Sequence, residues 1–173
     1  MLNTLIFLAL RVLHVLFAAT WIGSTVFVSL LLGPAADHAG PSGGQVMAAI
    51  DRRGLHTYMA ILAGTTVLTG VYLIWRFSGG FDSGVIATHA GIAFGTGGVA
   101  GVLALIVGAS VVGRSARQTV DILRQATAMP DGPARSSLVQ QATAARRRVK
   151  VGSKVVILLQ AIALVLMTVG HYI

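Results

Sequence analysis

The sequence predicts an all-α integral membrane protein, a four-transmembrane-helix bundle with helices 3 and 4 extended into a cytoplasmic helical hairpin. Three observations predict it. Hydrophobic residues make up 55% of the chain and charged residues 10%, with a mean hydropathy of +0.81; a soluble domain typically carries about 25% charged residues. Four segments are apolar over the roughly 20 residues that a helix needs to cross a hydrocarbon core about 30 Å thick. The thirteen Lys and Arg, against five Asp, gather beside those segments, which fits membrane topology and anionic lipid rather than nucleic acid. The length suits a single domain covering residues 1–173. No cysteine is present, so disulfides, thiolate zinc and covalent c-type haem attachment are excluded.

The first span covers about residues 5–32 and stops at Gly33-Pro34. It opens without a charged leader and has no small-residue cleavage site, so it reads as a retained helix rather than a signal peptide. Residues 34–53 are Gly/Pro-rich at first and helical later. The second span covers about residues 55–75. A short turn, FSGGFDSG, leads to the third span at about residues 85–112. The fourth covers about residues 151–172. Between the last two lies a polar segment, residues 113–150, with Arg114, Arg117, Arg124, Arg135, Arg146, Arg147, Arg148 and Lys150. Basic loops stay in the cytoplasm, and Arg52 and Arg53 in the first loop agree. Both termini and the Asp82 turn are therefore expected outside. Met129-Pro130-Asp131-Gly132-Pro133 divides the basic segment into two helical arms, the predicted hairpin. Its arginines read as a solvated, orientation-fixing surface, with partner docking or lipid sensing as the alternative.

Helix 3 carries Gly91, Gly95, Gly97, Gly98, Gly101 and Gly108. Gly91-xxx-Gly95 and Gly97-xxx-Gly101 have the small-xxx-small spacing that lets helices approach closely. The stripe suits tight packing or a homo-oligomer contact, and equally a smooth wall for a flat ligand.

Ionisable residues inside a span are costly and point to function. A rise of about 1.5 Å per residue places His14 roughly 28 Å above the cytoplasmic end of helix 1, with Arg11 at the outer boundary. The same count puts His89 roughly 6 Å in from outside and His171 roughly 31 Å up helix 4. Arg76, at the end of helix 2, arrives at the same level. Three histidines and two arginines thus converge near the outer face. Neutral imidazole ligates haem iron or copper. Two imidazoles from different helices can hold a haem, and Arg11 and Arg76 would neutralise its propionates. Trp21, seven residues after His14, lies on the same helix face and would stack on a macrocycle or fill the core. For each of these residues the plainer reading is an interface anchor or a packing hydrogen bond.

His56 begins helix 2 at the cytoplasmic side, too far away to share this ligand; with Met59 it is a candidate second site. His38 is assigned no role. Gln160, Leu164, Met167 and His171 fall on one face of helix 4, and Met167 with His171 suits Cu(I). Soft ligands are otherwise sparse, which favours haem over copper. No Ser/His/Asp set, phosphate loop or acidic residue within a span supports hydrolysis or an acidic proton relay.

These residues carry a resemblance. LRVLHVLFAATWIGSTVFV, followed by Gly33-Pro34, resembles the first helix of HemJ-like and CopD-like bacterial membrane proteins, in which a histidine is followed seven residues on by tryptophan. DRRGLHTYMAILAGTTVLTGVYLIW is similar to their second helix, with paired arginines and a late threonine-glycine. ATHAGIAFG resembles the start of their third. The HemJ-like branch implies a b-type haem protein that oxidises protoporphyrinogen IX, with haem ligation on His14. The chain departs from that branch after His89, where Ala90-Gly91-Ile92 stands in place of a functional lysine. The CopD-like branch implies copper handling through His14 and its neighbours. Either implies a bacterial cytoplasmic membrane.

The expectation is a haem b protein in electron transfer or oxidation of a quinone or porphyrin substrate. His14 is one axial ligand, and His89, placed deeper, or His171 is the other. A copper-handling protein using His14, His89, Met167 and His171 is the alternative, and a cofactor-free membrane scaffold the third reading.

Overall fold

The computed structural model describes the backbone of residues 2–173 and the side chains of residues 4–173. All regular structure among them is helical. α1 (Leu2–Val26) passes through a π-helical segment, Phe27–Leu32, into α2 (Gly33–His38). α3 (Pro41–Arg52) and α4 (Leu55–Phe77) follow, then a one-turn α5 (Ser83–Ile86). α6 (His89–Val107) continues through a second π-helical segment, Gly108–Gly113, into α7 (Arg114–Thr127). α8 (Pro133–Val169) is unbroken for 37 residues. Four continuous helices, Thr4–His38, Leu55–Phe77, His89–Thr127 and Pro133–Val169, are long and apolar enough to cross a membrane. The chain is therefore read as a multi-pass membrane protein.

The spans are apolar nearly all round, as helices facing lipid must be. Leu5, Leu8, Val12 and Leu16 of α1 stay exposed, as do Leu68 and Val71 of α4. α7 differs: it buries Ser115, Thr119 and Ala126 against α8 and leaves Arg114, Arg117, Asp121 and Arg124 exposed. This is the hairpin expected from the sequence, with its bend at residues 128–132.

Two antiparallel pairs build the bundle, α1 with α4 and α6 with α8. α4 against α6 and α1 against α8 close the ring. Trp21, Leu62, Ala63, Ala104 and Val156 form the shared core. Small residues set the helix spacing, since lipid offers little hydrophobic drive for association and close packing must supply it. A Cβ on Gly97 would lie 3.2 Å from Met167 Cγ and 3.4 Å from the Ala163 carbonyl oxygen. One on Gly152 would lie 3.0 Å from Val112 Cγ2. Gly98 and Gly101, by contrast, meet open space.

Helix 1 does not stop at Gly33-Pro34. The Gly33 N–H bonds the Val28 carbonyl, five residues back. That wider turn leads into a new α-helical segment in which Pro34 occupies the first turn, where its missing N–H is tolerated. The third span also differs, because it is not one helix from Val85. Asp82 caps α5, accepting from the N–H groups of Gly84 and Val85. The chain then breaks at Ala87-Thr88, and Thr88 Oγ1 accepts the Gly91 N–H at 3.1 Å to start α6 at His89. Gly91 sits at the corner, where a Cβ would overlap the Val85 carbonyl. The tight turn before α5 is pinned by Ser78, fully buried, whose Oγ accepts the Phe81 N–H at 2.8 Å. Gly79, Gly80 and Phe81 there all take positive φ, at 65°, 96° and 67°.

At the basic end Lys150 of α8 pairs with Asp37 of α2 at 2.7 Å. At the other end, which holds both termini, Arg11 reaches His171. The two contacts fix which connections share a side.

Candidate functional site

The site grows from one turn of α1. Arg11 and His14 are three residues apart and so lie on one face. The His14 ring rests on α4 at Gly70, where a Cβ would stand 3.0 Å from His14 Cε1. His14 is half-buried, and its Nδ1 lies 2.9 Å from the Thr66 carbonyl oxygen and 3.1 Å from Thr69 Oγ1. A carbonyl only accepts, so the proton is on Nδ1. The Thr69 hydroxyl proton is already donated to the Thr65 carbonyl at 2.6 Å, so its oxygen accepts as well. Nε2 is left with a free lone pair and no hydrogen-bond partner among the described residues. Ligating histidines are held in this way: the far N–H is fixed on a carbonyl, which sets tautomer and ring orientation.

His14 lies deeper than counting from Gly33 suggested. Its partners Thr66 to Gly70 are about two to three turns below the end of α4 at Phe77, roughly 10–16 Å. The count missed this because the level of His14 is set by where α1 packs on α4, which the distance from Gly33 does not give. Residues 2–10 continue the same helix towards the end that holds the termini.

Arg11 donates to Nε2 of His171. His171 lies just past the end of α8, and its Nδ1–H donates to the Met167 carbonyl at 3.1 Å. It is thus the same tautomer as His14, but its lone pair is covered by Arg11. Its ring meets Phe94 edge-on with centroids 5.2 Å apart, and Phe94 meets Phe77 at 5.1 Å. Arg11 and His171 therefore meet at the end that holds the termini, while His14, one turn along α1 from Arg11, makes its contacts with α4.

The other expected members are placed differently. His89 is the first residue of α6 and exposed, so it is not the deeper imidazole. The helix break at Ala87-Thr88 put it there. Arg76 is exposed in the last turn of α4, with no carboxylate partner among the described residues. Trp21 is 6% exposed and packed in the core. His14, His89 and His171 do not form a three-ligand metal group; among the described residues no three of His, Cys, Asp or Glu gather in that way. The helix 4 face is also corrected. Gln160 and Ala163 are buried while Leu164 is 54% exposed, so Leu164 leaves the line that the sequence drew. His56 is held by Asp51 at the corner between α3 and α4, and His38 Nδ1 donates to the Pro34 carbonyl at 2.9 Å.

Two supports were not assigned from sequence. Thr66 and Thr69, with Gly70, make the seat of His14. The signal was TTVLTG in the second span, two hydroxyl residues and a glycine on one helix face. The other is Gln160, 2% exposed, whose amide nitrogen donates to Thr25 Oγ1 at 3.3 Å while Oε1 has no partner.

No family model, curated protein or solved structure matches this chain.

Proposed function

We propose that this chain is a membrane redox protein that carries a b-type haem on His14 Nε2. The reading rests on one observation: the Thr66 carbonyl fixes the His14 proton on Nδ1 and leaves Nε2 as an oriented, unpartnered electron-pair donor. His14 Nε2 would hold the iron, and Arg11, one turn away, with Arg76 at the same end, would be counter-charges for carboxylates. Bound there, haem would supply one-electron chemistry for electron transfer or for oxidation of a quinone- or porphyrin-like substrate. The resemblance of residues 10–28 and 51–75 to HemJ-like and CopD-like proteins points the same way.

This chain's residues have three tasks in that reading. Thr66, Thr69 and Gly70 hold the His14 ring against rotation. Arg11 covers the His171 lone pair and would also be a counter-charge for a carboxylate at that end. Trp21 and its neighbours close the bundle beneath.

Purified protein, expressed with ample haem supply, is expected to show a Soret band and sharp α and β bands after dithionite reduction. His14→Ala removes them, and His171→Ala shifts them. A colourless preparation with stoichiometric copper would support the copper-handling reading instead, and one without metal the scaffold.

A further inference from the structure

At the basic end a groove runs between the end of the third span and α8. Val107, Val111, Val151 and Val155 line it, and Arg147 and Arg148 stand at its polar end. Its place matters. Val151 opens the apolar run of α8 and the two arginines precede it, while Val107 closes α6 shortly before Arg114. The groove therefore crosses the boundary between hydrocarbon and headgroups, apolar on one side of it and cationic on the other. Part of its wall, Val111, belongs to the π-helical segment Gly108–Gly113, a kind of irregularity that often marks functional positions.

Four of the five acidic residues are occupied elsewhere. Asp37 holds Lys150, Asp51 holds His56 and Asp131 holds Arg135. Asp82 caps α5. Asp121 lines the neighbouring hollow with Arg148 but forms no ion pair with it. Arg147 and Arg148 thus have no ion-pair partner among the described residues. Guanidinium groups bind phosphate through paired hydrogen bonds, and more strongly where water is partly excluded.

We propose that this groove binds an anionic phospholipid of the leaflet at the basic end. Its phosphate sits between Arg147 and Arg148, and an acyl chain lies along the four valines. The charge of the pair and the apolar wall beside it select a lipid over a free phosphate, and an anionic lipid over a zwitterionic one. The site is independent of the haem.

The test is native mass spectrometry of the full chain, released from micelles containing equal phosphatidylglycerol and phosphatidylcholine. The wild type is expected to retain one phosphatidylglycerol in preference. Arg147→Gln with Arg148→Gln weakens retention roughly 30-fold, and Arg147→Gln alone about fivefold. The control, Arg124→Gln with Arg146→Gln, removes the same charge outside the groove and keeps the lipid. Equal loss in the control would reduce the effect to general surface charge and overturn the proposal. So would a wild type without preference for the anionic lipid, or a dimer mass that disappears in the groove variant.

Discussion

A backbone oxygen decides the tautomer of His14. Because Thr66 supplies its carbonyl, side-chain substitution cannot remove that acceptor, and Thr69 is the adjustable part of the seat. Thr69→Val keeps the shape and removes one acceptor; on the haem reading, affinity falls about tenfold, the low end of outer-shell effects, as measured by haem transfer to apomyoglobin. Gly70→Leu places carbon where the imidazole lies and displaces the ring, so haem is lost although His14 remains. Gln160 makes the opposite case. Its Oε1 is buried without a partner, so Gln160→Leu is neutral or stabilising by about 1 kcal/mol, while Thr25→Val also strands the amide nitrogen and destabilises by about 1 kcal/mol. Thermal unfolding in detergent measures both. The sequence exposed His14 as an ionisable group in lipid, yet could not show its support, because a backbone carbonyl has no signature in residue types.

At the scale of elements, the apolar runs and the Pro/Gly bend at residues 129–133 were legible because lipid demands long apolar helices and a bend demands helix breakers. The ends were not. Gly33-Pro34 reads as a stop, but a π turn absorbs the proline and the helix continues to His38. Val85 reads as the start of a span, but Asp82 and Thr88 each cap a helix, and the break between them moves His89 to an exposed N-terminus. The second error misplaced His89, whose depth was counted from Val85. Glycines were legible as a stripe only. Gly97 is the one pressed on α8, so Gly97→Leu is expected to destabilise by about 1–3 kcal/mol through overpacking, while Gly101→Ala, facing open space, changes little. Comparison of the two melting temperatures checks this assignment.

For the whole molecule, the pairings Lys150–Asp37 and Arg11–His171 show that the basic connections share one end and the termini the other. Charge gives the expectation that the basic end faces the cytoplasm. The chain has no cysteine, so single cysteines at Ser83 and Ser137 can be labelled in intact cells with an impermeant maleimide. The first is expected to react and the second to be protected until lysis. The central claim, that His14 Nε2 is an iron ligand, is tested most directly by rescue. His14→Gly protein is purified with haem, with and without added imidazole, and its Soret absorbance per protein is compared with wild type. The account predicts loss of the band without imidazole and its return with it, because a free imidazole can occupy the vacated seat. A His14→Gly protein that keeps a wild-type band without imidazole would contradict it.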